Sequence, residues 1–211
     1  MRNRTENQIR LVFIRHGATL ANEQRRYLGK TEEGLSEKGI GMLREACRRQ
    51  AYPPVDCLFV SPMRRCRETA GILYPAAMPI QIPEWEEIDF GAFEGKNYVQ
   101  LQGDERYQAW IDSGGTLPFP EGESREAFLQ RCCQGFQRMT GELLRRSRER
   151  PEMGITAGCI VHGGTIMSLL SRYGGGEYFA YQVKNGGGYR CRLSGAPEAW
   201  ALEEIEKLEE S

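Results

Sequence analysis

The chain has 211 residues, of which 40% are hydrophobic, and a chain of this length buries about 70% of the surface that it exposes when unfolded. We therefore predict a single domain over residues 1–211 with a core of useful size. The 28 Lys and Arg residues nearly balance the 29 Asp and Glu residues, for a formal net charge of −1, which excludes the global positive field that attracts nucleic acid or an anionic membrane.

The amino-terminal residues and the cysteines are typical of a cytoplasmic protein that binds no metal. Residues 1–10 are mostly polar and lead into an apolar run of four residues, which is too short for a signal-peptide core or a membrane span. The seven cysteines form no C-x-x-C pair, and only two histidines could help them to ligate a metal. We therefore expect reduced thiols, no structural zinc and no cofactor.

Apolar runs alternate with segments of helical periodicity in the first half of the chain. The predicted elements are a strand, a helix, a strand and a helix, over residues 11–14, 35–50, 55–60 and 61–74. Ser36 and Ser61 precede the apolar positions of the two helical segments. Serine favours the N-cap because its hydroxyl accepts a hydrogen bond from a free N–H of the first turn. We therefore expect each helix to begin directly after its serine.

The second half continues the alternation and ends in two strands. Its predicted elements are a helix, a strand, a helix and two strands, over residues 124–150, 157–161, 165–173, 187–193 and 199–205. Gly195 and Pro197 predict the turn between the last two strands. This alternation predicts a three-layer α/β/α fold, in which helices cover a largely parallel sheet with an antiparallel edge.

Both histidines of the chain occupy the same local context. His16 follows the first strand and precedes Gly17, and His162 follows the 157–161 strand and precedes Gly163. In an open α/β sheet, ligands bind beside the carboxyl ends of the strands, where the free N–H groups of helix N-termini favour anions. Either histidine alone would be interpreted as a satisfied core or surface residue. Their shared context predicts an anion site that contains both.

Three arginines follow the second strand. Arg64, Arg65 and Arg67 lie in the helical segment, and arginines so close together usually form a solvent-exposed helix face. In a helix, Arg65 and Thr69 lie one turn apart on one face, whereas Arg64 points about 100° away. One arginine can therefore face the predicted anion site while the others remain solvated.

Four motifs together resemble one known family. The stretch "RHGAT" at residues 15–19, followed by Asn22, resembles the R-H-G-x-T-x-x-N signature of the histidine phosphatase superfamily, also called the phosphoglycerate mutase-like family. The stretches "SPMRRCRETA", "EEIDFGAFEG" and "VHGG" are similar to three further segments of that family, in the same order. The resemblance extends from about Leu11 to about Gly188 and implies a phosphoglycerate mutase-like fold.

The resemblance also implies a role for each site residue. It places the nucleophile on His16 and the acid on Glu87, and it implies a phosphate-binding set of Arg15, Asn22, Arg65 and His162. The carboxylates that compete with Glu87 by residue type alone are Glu86, Asp89 and Glu94. Three positions depart from the family pattern without removing a group that the mechanism needs: Ala18, Cys66 and Phe93.

These residue types suit the transfer of a phosphoryl group. Charge spreads over the equatorial oxygens in the transition state, and the guanidinium groups of Arg15 and Arg65 can bind such oxygens with paired donors. His16 must present an unprotonated ring nitrogen to phosphorus, which neighbouring cations favour because they lower a histidine pKa. Glu87, if held neutral near pH 7, would protonate the leaving oxygen and then take a proton from water.

We therefore expect a metal-independent phosphomonoesterase that hydrolyses a small phosphorylated metabolite through a phosphohistidine intermediate. Residues 86–95 resemble the phosphatase branch of the family, which includes α-ribazole phosphatases and broad-specificity phosphatases, more than the mutase branch. The alternatives are a cofactor-dependent phosphoglycerate mutase and a catalytically silent module that binds a phosphorylated ligand.

Two segments are expected to select the substrate. Residues 96–121 carry several aromatic side chains and are predicted to form a cap, with a small helical subdomain as the alternative. Arg25, Arg26 and Tyr27 are expected at another part of the rim. The sequence leaves the natural substrate open, and it also leaves open whether the protein is a monomer or a homodimer.

Overall fold

A mixed sheet of six strands forms the centre of the fold. The computed structural model describes residues 9–149 and 153–208, with strands β1 (Ile9–Arg15), β2 (Cys57–Val60), β3 (Ile80–Gln81), β4 (Ile155–Val161), β5 (Gly188–Ser194) and β6 (Ala201–Lys207). Their order across the sheet is β3-β2-β4-β1-β5-β6. The first four of these are parallel, whereas β5 and β6 pair antiparallel. The predicted largely parallel sheet with an antiparallel edge is confirmed.

Helices cover both faces of this sheet. They are α1 (Leu20–Glu23), α2 (Glu37–Arg48), α3 (Arg64–Leu73), α4 (Glu105–Asp112), α5 (Arg125–Glu149) and α6 (Gly163–Gly174). Successive side chains of a strand point to opposite faces. In β1, Leu11 and Phe13 pack with α5 and α6, whereas Val12 and Ile14 pack with α2 and α3. The predicted α/β/α layers are therefore present. No helix in the described part of the chain is long and apolar enough to cross a membrane.

The parallel pairing aligns three strand ends. β1 and β4 pair as far as Arg15 and Val161, and β2 pairs with the other side of β4. Two backbone hydrogen bonds extend the ladders by one residue: the N–H of His16 donates to Val161 (2.9 Å), and the N–H of Ser61 donates to Ile160 (3.0 Å). The residues that follow β1, β2 and β4 therefore lie together at the carboxyl edge of the sheet.

The two serines predicted as N-caps behave differently. Ser36 caps α2, because its hydroxyl accepts a hydrogen bond from the N–H of Gly39 (2.9 Å). Ser61 does not cap α3, which begins at Arg64. The hydroxyl of Ser61 instead shares a hydrogen bond with the ring of His162 (2.8 Å). The hydroxyl also accepts a longer hydrogen bond from the N–H of Met63 (3.4 Å), so its shorter contact is the tertiary one.

The structure differs from the prediction at α1, at α4 and at the start of α6, and it also contains the two-residue strand β3, which was not predicted. α1 is a single turn with Thr19 as N-cap and a reciprocal hydrogen bond to Asn22. α4 begins after Asp104, whose carboxylate caps it. α6 begins at Gly163 rather than near Thr165. The period of apolar residues does not reveal these features, because the first two elements are short and the third begins with glycines.

Residues 96–121 pack around α4 as an aromatic cluster. Trp110 stacks on Phe119 with ring centroids 4.9 Å apart, and the hydroxyls of Tyr27 and Tyr107 share a hydrogen bond (3.2 Å). These rings continue the core on the α5 and α6 side of the sheet. The predicted role of this segment as a substrate-selecting cap stays a prediction.

Candidate active site

The two histidines meet at the carboxyl edge of the sheet. The ring centroids of His16 and His162 lie 5.2 Å apart, with their planes at 66°. His16 is 3% exposed, and His162 has no exposed surface. The identical strand, histidine, glycine contexts in the sequence therefore converge on one site.

The ring of His16 is oriented by its own loop. Its Nδ1 lies 2.7 Å from the carbonyl oxygen of Gly17, and only a protonated nitrogen can donate to a carbonyl. In the neutral ring, Nε2 therefore carries a lone pair and no proton. Burial, assisted by the charges of Arg65 and Arg15, lowers the pKa of His16 well below its usual range. The imidazole is therefore neutral at pH 7, as a nucleophile must be.

Neighbouring elements fix the loop that carries His16. The N–H of Gly17 donates to the hydroxyl of Thr69 (3.0 Å), and the amide of Asn185 donates to the carbonyl of His16 (3.1 Å). A Cβ atom on Gly17 would lie 2.6 Å from a methyl carbon of Leu43. This glycine therefore lets α2 pack closely against the loop, which is a structural reason for its place beside the histidine.

Arg15 and Arg65 supply positive charge beside the histidines. Arg65 has no exposed surface and donates to the carbonyls of Gly29 (2.8 Å) and Thr31 (3.1 Å). Arg15 donates to the carbonyl of Val183 (2.8 Å). The Nε atoms of both arginines are buried and have no hydrogen-bond partner among the described residues. Each guanidinium is therefore oriented by backbone and retains donor capacity.

The side chain of Asn22 is held from two sides. Its Oδ1 accepts hydrogen bonds from the N–H of Thr19 (3.2 Å) and from the amide of Asn185 (3.0 Å). This arrangement fixes which end of the Asn22 amide is the acceptor. The Nδ2 donor of Asn22, which lines the cavity described below, is available to a ligand.

Glu87 is the buried carboxyl of the site. It is 8% exposed, and its Oε1 accepts a hydrogen bond from the N–H of Ile88 (3.0 Å). Burial raises the pKa of Glu87, against the opposing effects of this hydrogen bond and of Arg65 and Arg15. A Cβ atom on Gly164 would lie 2.8 Å from Oε1. The second glycine of "VHGG" therefore provides room for the carboxyl.

The three competing carboxylates have other environments. Asp89 pairs with Lys30 (3.0 Å), and a hydrogen bond from the N–H of Gly91 lowers its pKa. Glu94 accepts hydrogen bonds from the backbone of Gly29 (2.8 Å). Glu86 is absent from the cavity wall. Among these carboxyls, Glu87 alone combines burial with a raised pKa and a place on the cavity wall.

Arg131 of α5 holds the backbone that leads to Glu87. Its guanidinium donates to three carbonyls of the segment that ends at the acid candidate, those of Glu84 (2.9 Å), Glu86 (2.9 Å) and Glu87 (3.3 Å). The same group makes a paired hydrogen bond to the carboxylate of Glu123 (2.9 and 3.1 Å). Arg131 was not predicted from the sequence, because no local pattern distinguishes it from the other arginines of α5.

His162 contacts two further buried side chains. Its Nε2 shares the hydrogen bond with Ser61 and lies 3.6 Å from the sulfur of Cys66, one of the departures from the family pattern. Its Nδ1 lies 3.8 Å from a carboxylate oxygen of Glu87. Burial, followed by the charges of Arg65, lowers the pKa of His162 well below its usual range. A neutral His162 is therefore held between the carboxyl of Glu87 and the hydroxyl of Ser61.

A cavity of about 780 Å³ opens beside this cluster. Of the predicted site residues, Arg15, Asn22 and Glu87 line it, whereas Arg65 and the two histidines do not. The cap segment contributes Trp110 and Phe119 to the wall. Catalytic contacts often become close only when a substrate is bound. Arg65 therefore remains a candidate phosphate-binding residue although it lies behind the cavity wall.

The charge in the site comes from arginines. Among the described residues, no group of three or more His, Cys, Asp and Glu side chains is arranged to hold a metal ion.

Four residues orient the site although they were not predicted to do so: Ser61, Thr69, Arg131 and Asn185. Thr69 had a sequence signal, since it shares a helix face with Arg65.

Comparisons with known proteins identify the family of the chain and several relatives. A family model described as histidine phosphatase superfamily (branch 1) matches residues 11–206. An adenosylcobalamin/α-ribazole phosphatase of Salmonella typhimurium is 32% identical over 135 residues, which are 62% of this chain and 67% of that protein. A 2,3-bisphosphoglycerate-dependent phosphoglycerate mutase of Bifidobacterium longum is 31% identical over 57% of this chain, and the match spans 53% of the mutase, about half its length.

A solved structure shows the same fold. The α-ribazole phosphatase from Shigella flexneri has a TM-score of 0.73 and 23% identity, over 93% of this chain and 95% of that one. The family model spans nearly the whole described chain, and the four motifs that it matches include both histidine loops. The chain therefore belongs to the histidine phosphatase superfamily, as the sequence motifs predicted, and is a phosphatase enzyme of that family.

Proposed function

We propose that the protein hydrolyses a phosphomonoester of a small metabolite, without a metal ion, through a phosphohistidine on His16. The observation that carries the proposal is the hydrogen bond from Nδ1 of His16 to Gly17 (2.7 Å). It leaves the unprotonated Nε2 as the nucleophile, beside the positive charges of Arg15 and Arg65. These charges would stabilise the equatorial oxygens of the transferred group.

The reaction would proceed in two steps. Nε2 of His16 forms a bond to phosphorus while the bond from phosphorus to the ester oxygen breaks, and Glu87 gives its proton to that oxygen. In the second step, a water molecule gives a proton to Glu87 and attacks phosphorus, which releases phosphate and restores His16. Glu87 therefore acts as the acid in the first step and as the base in the second, so neither step needs another residue to transfer the proton.

The environment of Glu87 supports its role as the acid. A general acid must be protonated at the working pH, and burial raises the pKa of this carboxyl in the direction required. A bound phosphate dianion would raise it further through like-charge repulsion. Arg131 and Ile88 hold the carboxyl and its backbone in place.

A phosphoglycerate mutase is the second candidate, since one relative is such an enzyme. A mutase returns the phosphoryl group from the histidine to a second hydroxyl, whereas a phosphatase gives it to water. The name of the Salmonella relative makes α-ribazole phosphate a substrate to test first. A silent phospho-ligand-binding module is the third candidate, and it is disfavoured because nucleophile, arginines and acid are all present.

A screen of phosphorylated metabolites, run beside a mutase assay, tests the proposal. We expect release of inorganic phosphate that survives exhaustive chelation and is inhibited by vanadate, which adopts a trigonal bipyramidal geometry. Rapid quenching should trap an acid-labile phosphoenzyme. Transfer between two hydroxyls of phosphoglycerate without net phosphate release would favour the mutase, and binding of phosphate esters without any turnover would favour the silent module.

A further inference from the structure

The cavity wall is positively charged although the whole chain carries a net charge of −1. Six lining side chains are cationic, whereas Glu87 is the only acidic residue that the described part of the chain contributes to the wall. Arg15 belongs to the phosphate end. The other five cations come from four separate segments: Arg25, Arg26, Arg125, Lys184 and Lys207. We call Arg25, Arg26 and Arg125 the outer rim.

The arginines of the outer rim lack carboxylate partners. Within residues 9–149 and 153–208, no ion pair involves Arg25, Arg26 or Arg125. Elsewhere the pattern differs, since Arg145 and Arg192 each pair with two carboxylates. Cations that line a cleft without a counter-charge attract anions into it, because low-dielectric walls focus their field.

The fold holds the side chains of Arg125 and Arg26 and the backbone of Arg25, and the guanidinium of Arg26 donates to the carbonyl of Gly95 (3.0 Å). The guanidinium of Arg125 lies over the ring of Tyr178, 5.3 Å from its centroid. Arg25 adopts a left-handed backbone conformation with φ of 56°, and its N–H donates to the carbonyl of Asn22 (3.0 Å). A residue with a side chain adopts this conformation at a cost, and such residues cluster at functional sites.

We propose that the outer rim binds a second anionic group, a carboxylate or a phosphate, on the leaving group of the substrate. The inference rests on the proposed phosphatase function. A cavity of about 780 Å³ is far larger than one phosphate group requires, and Phe90, Trp110 and Phe119 also line it. The substrate class is therefore an organic phosphomonoester with an apolar body and a second negative charge.

A matched series of alkyl phosphates tests the rim. The compounds carry a phosphate at one end and either a carboxylate or a hydroxyl at the other, on chains of four to eight carbons. We expect kcat/KM to favour the carboxylate over the hydroxyl by about tenfold at one chain length, the value of a hydrogen bond to a charged group. The preference should weaken with added salt. The same comparison is made for affinity, by calorimetry with phosphonate analogues.

Variants connect this preference to the rim. Arg125→Ala should remove most of the preference while kcat/KM for the hydroxyl compounds stays within about twofold, since no second anion is there to bind. Arg125→Glu should reverse the preference through like-charge repulsion. Arg145→Ala is the control, because Arg145 lies on the same helix among its own carboxylates, away from the cavity. It should leave both compounds unchanged.

Three outcomes would overturn the inference: equal kcat/KM and affinity for carboxylate and hydroxyl at every chain length, equal losses for both compounds in Arg125→Ala, or the same loss of preference in Arg145→Ala. Turnover of both compounds without preference would contradict the rim and leave the proposed phosphatase function standing. A calorimetric preference for the carboxylate analogues without any turnover would support the rim and contradict the phosphatase function.

Discussion

The inner and outer ends of the cavity are built in different ways. At the inner end, hydrogen bonds hold the predicted site side chains: the carbonyl of Gly17 accepts from the ring of His16, and the carbonyls of Gly29 and Thr31 accept from Arg65. At the outer end, side chains hold one another through ring contacts, such as Trp110 on Phe119. In-line transfer tolerates errors of only a fraction of an ångström, whereas a leaving group can be accommodated by many surfaces. The difference is consistent with the proposal that phosphoryl transfer takes place at the inner end and that the outer end selects the leaving group.

This comparison predicts the size and kind of effect that each substitution has. A change at the inner end should lower kcat for every phosphate ester, since the same groups meet the same phosphoryl oxygens. A change at the outer end should alter kcat/KM for some leaving groups and spare others. The predictions below begin where the largest loss is expected.

Removing the nucleophile should have the largest effect. His16→Ala should lower kcat by at least about 10⁴-fold for all phosphate esters and abolish the acid-labile phosphoenzyme, because no other side chain of the site can present an in-line imidazole. Rapid-quench trapping of labelled phosphoenzyme checks this. Substantial turnover in His16→Ala would contradict the nucleophile assignment and make the inner end no more essential than the outer one.

Removing the acid should affect substrates according to their leaving group. Glu87→Gln should slow phosphoenzyme formation by about 10²- to 10⁴-fold for alkyl phosphates. The loss should be much smaller for p-nitrophenyl phosphate, whose leaving group is stable as an anion. Asp89→Asn is the matched control, since Asp89 pairs with Lys30 and has no proton to give. Single-turnover rates for the two substrates measure the contrast.

The pH profile gives a second check on the same carboxyl. The proposed mechanism requires a deprotonated His16 and a protonated Glu87. The lowered pKa of His16 keeps its ring deprotonated down to lower pH, and the raised pKa of Glu87 keeps its carboxyl protonated up to higher pH. The rate of phosphoenzyme formation should therefore fall as the pH rises through the pKa of Glu87, and Glu87→Gln should lose that fall. Equal losses for alkyl and p-nitrophenyl phosphates, with the fall retained, would mean that Glu87 only positions the phosphate or water.

Neighbouring arginines of α3 should differ sharply. Arg65→Ala should lower kcat/KM by about 10²- to 10³-fold for all esters, the usual loss when a charge-stabilising donor is removed. Arg64→Ala should have an effect of less than about twofold, because Arg64 is exposed and pairs with Glu68 (2.7 Å). Kinetics of both variants, with thermal unfolding to verify that Arg65→Ala is folded, measure the difference. Equal effects would refute the assigned helix face.

The sequence was sufficient for the residues whose partners are local or lie in motifs. The spacing of Arg65 and Thr69 predicted a shared face, and both are buried. The sequence was insufficient for residues whose contact partner is distant in the chain. Ser61 has the features of a helix cap, yet His162, far along the sequence, takes its hydroxyl. Asn185 and Arg131 orient the site through contacts that exist only after β5 and α5 have packed on the sheet.

The residues of the outer rim show the same limit of prediction from the sequence. Arg25, Arg26 and Tyr27 follow the first motif and were expected at the rim. The two arginines line the cavity, whereas Tyr27 does not and packs against the core instead. Arg125 belongs to none of the four motifs. It lies at the start of a long amphipathic helix, where charged residues are common. Its place above Tyr178 depends on how α5 and residues 178–181 pack. Propensity and periodicity carry no information about such a contact.

Among the inner-end residues whose substitution should lower kcat, Arg131 should show the smallest effect and the most diagnostic one. It does not line the cavity, yet it donates to the carbonyls of Glu86 and Glu87, on both sides of the proposed acid. Arg131→Gln removes the forked donors, so the Glu87 carboxyl should lose its position rather than its proton. We expect about a 10- to 100-fold loss in kcat for alkyl phosphates, with KM little changed, because a misplaced catalytic group costs about this much. The loss for p-nitrophenyl phosphate should be severalfold smaller.

Arg138→Gln is the control for this prediction. Arg138 lies on the same helix and reaches the same segment, but through the carboxylate of Glu84 (3.3 Å) rather than through backbone. It should leave kcat unchanged for both substrates. In the background of Glu87→Gln, Arg131→Gln should cause little further loss, since the two residues act on one proton transfer and their effects are then not additive. A loss that is equal for both substrates, or that adds fully to that of Glu87→Gln, would mean that Arg131 stabilises the fold without positioning the acid.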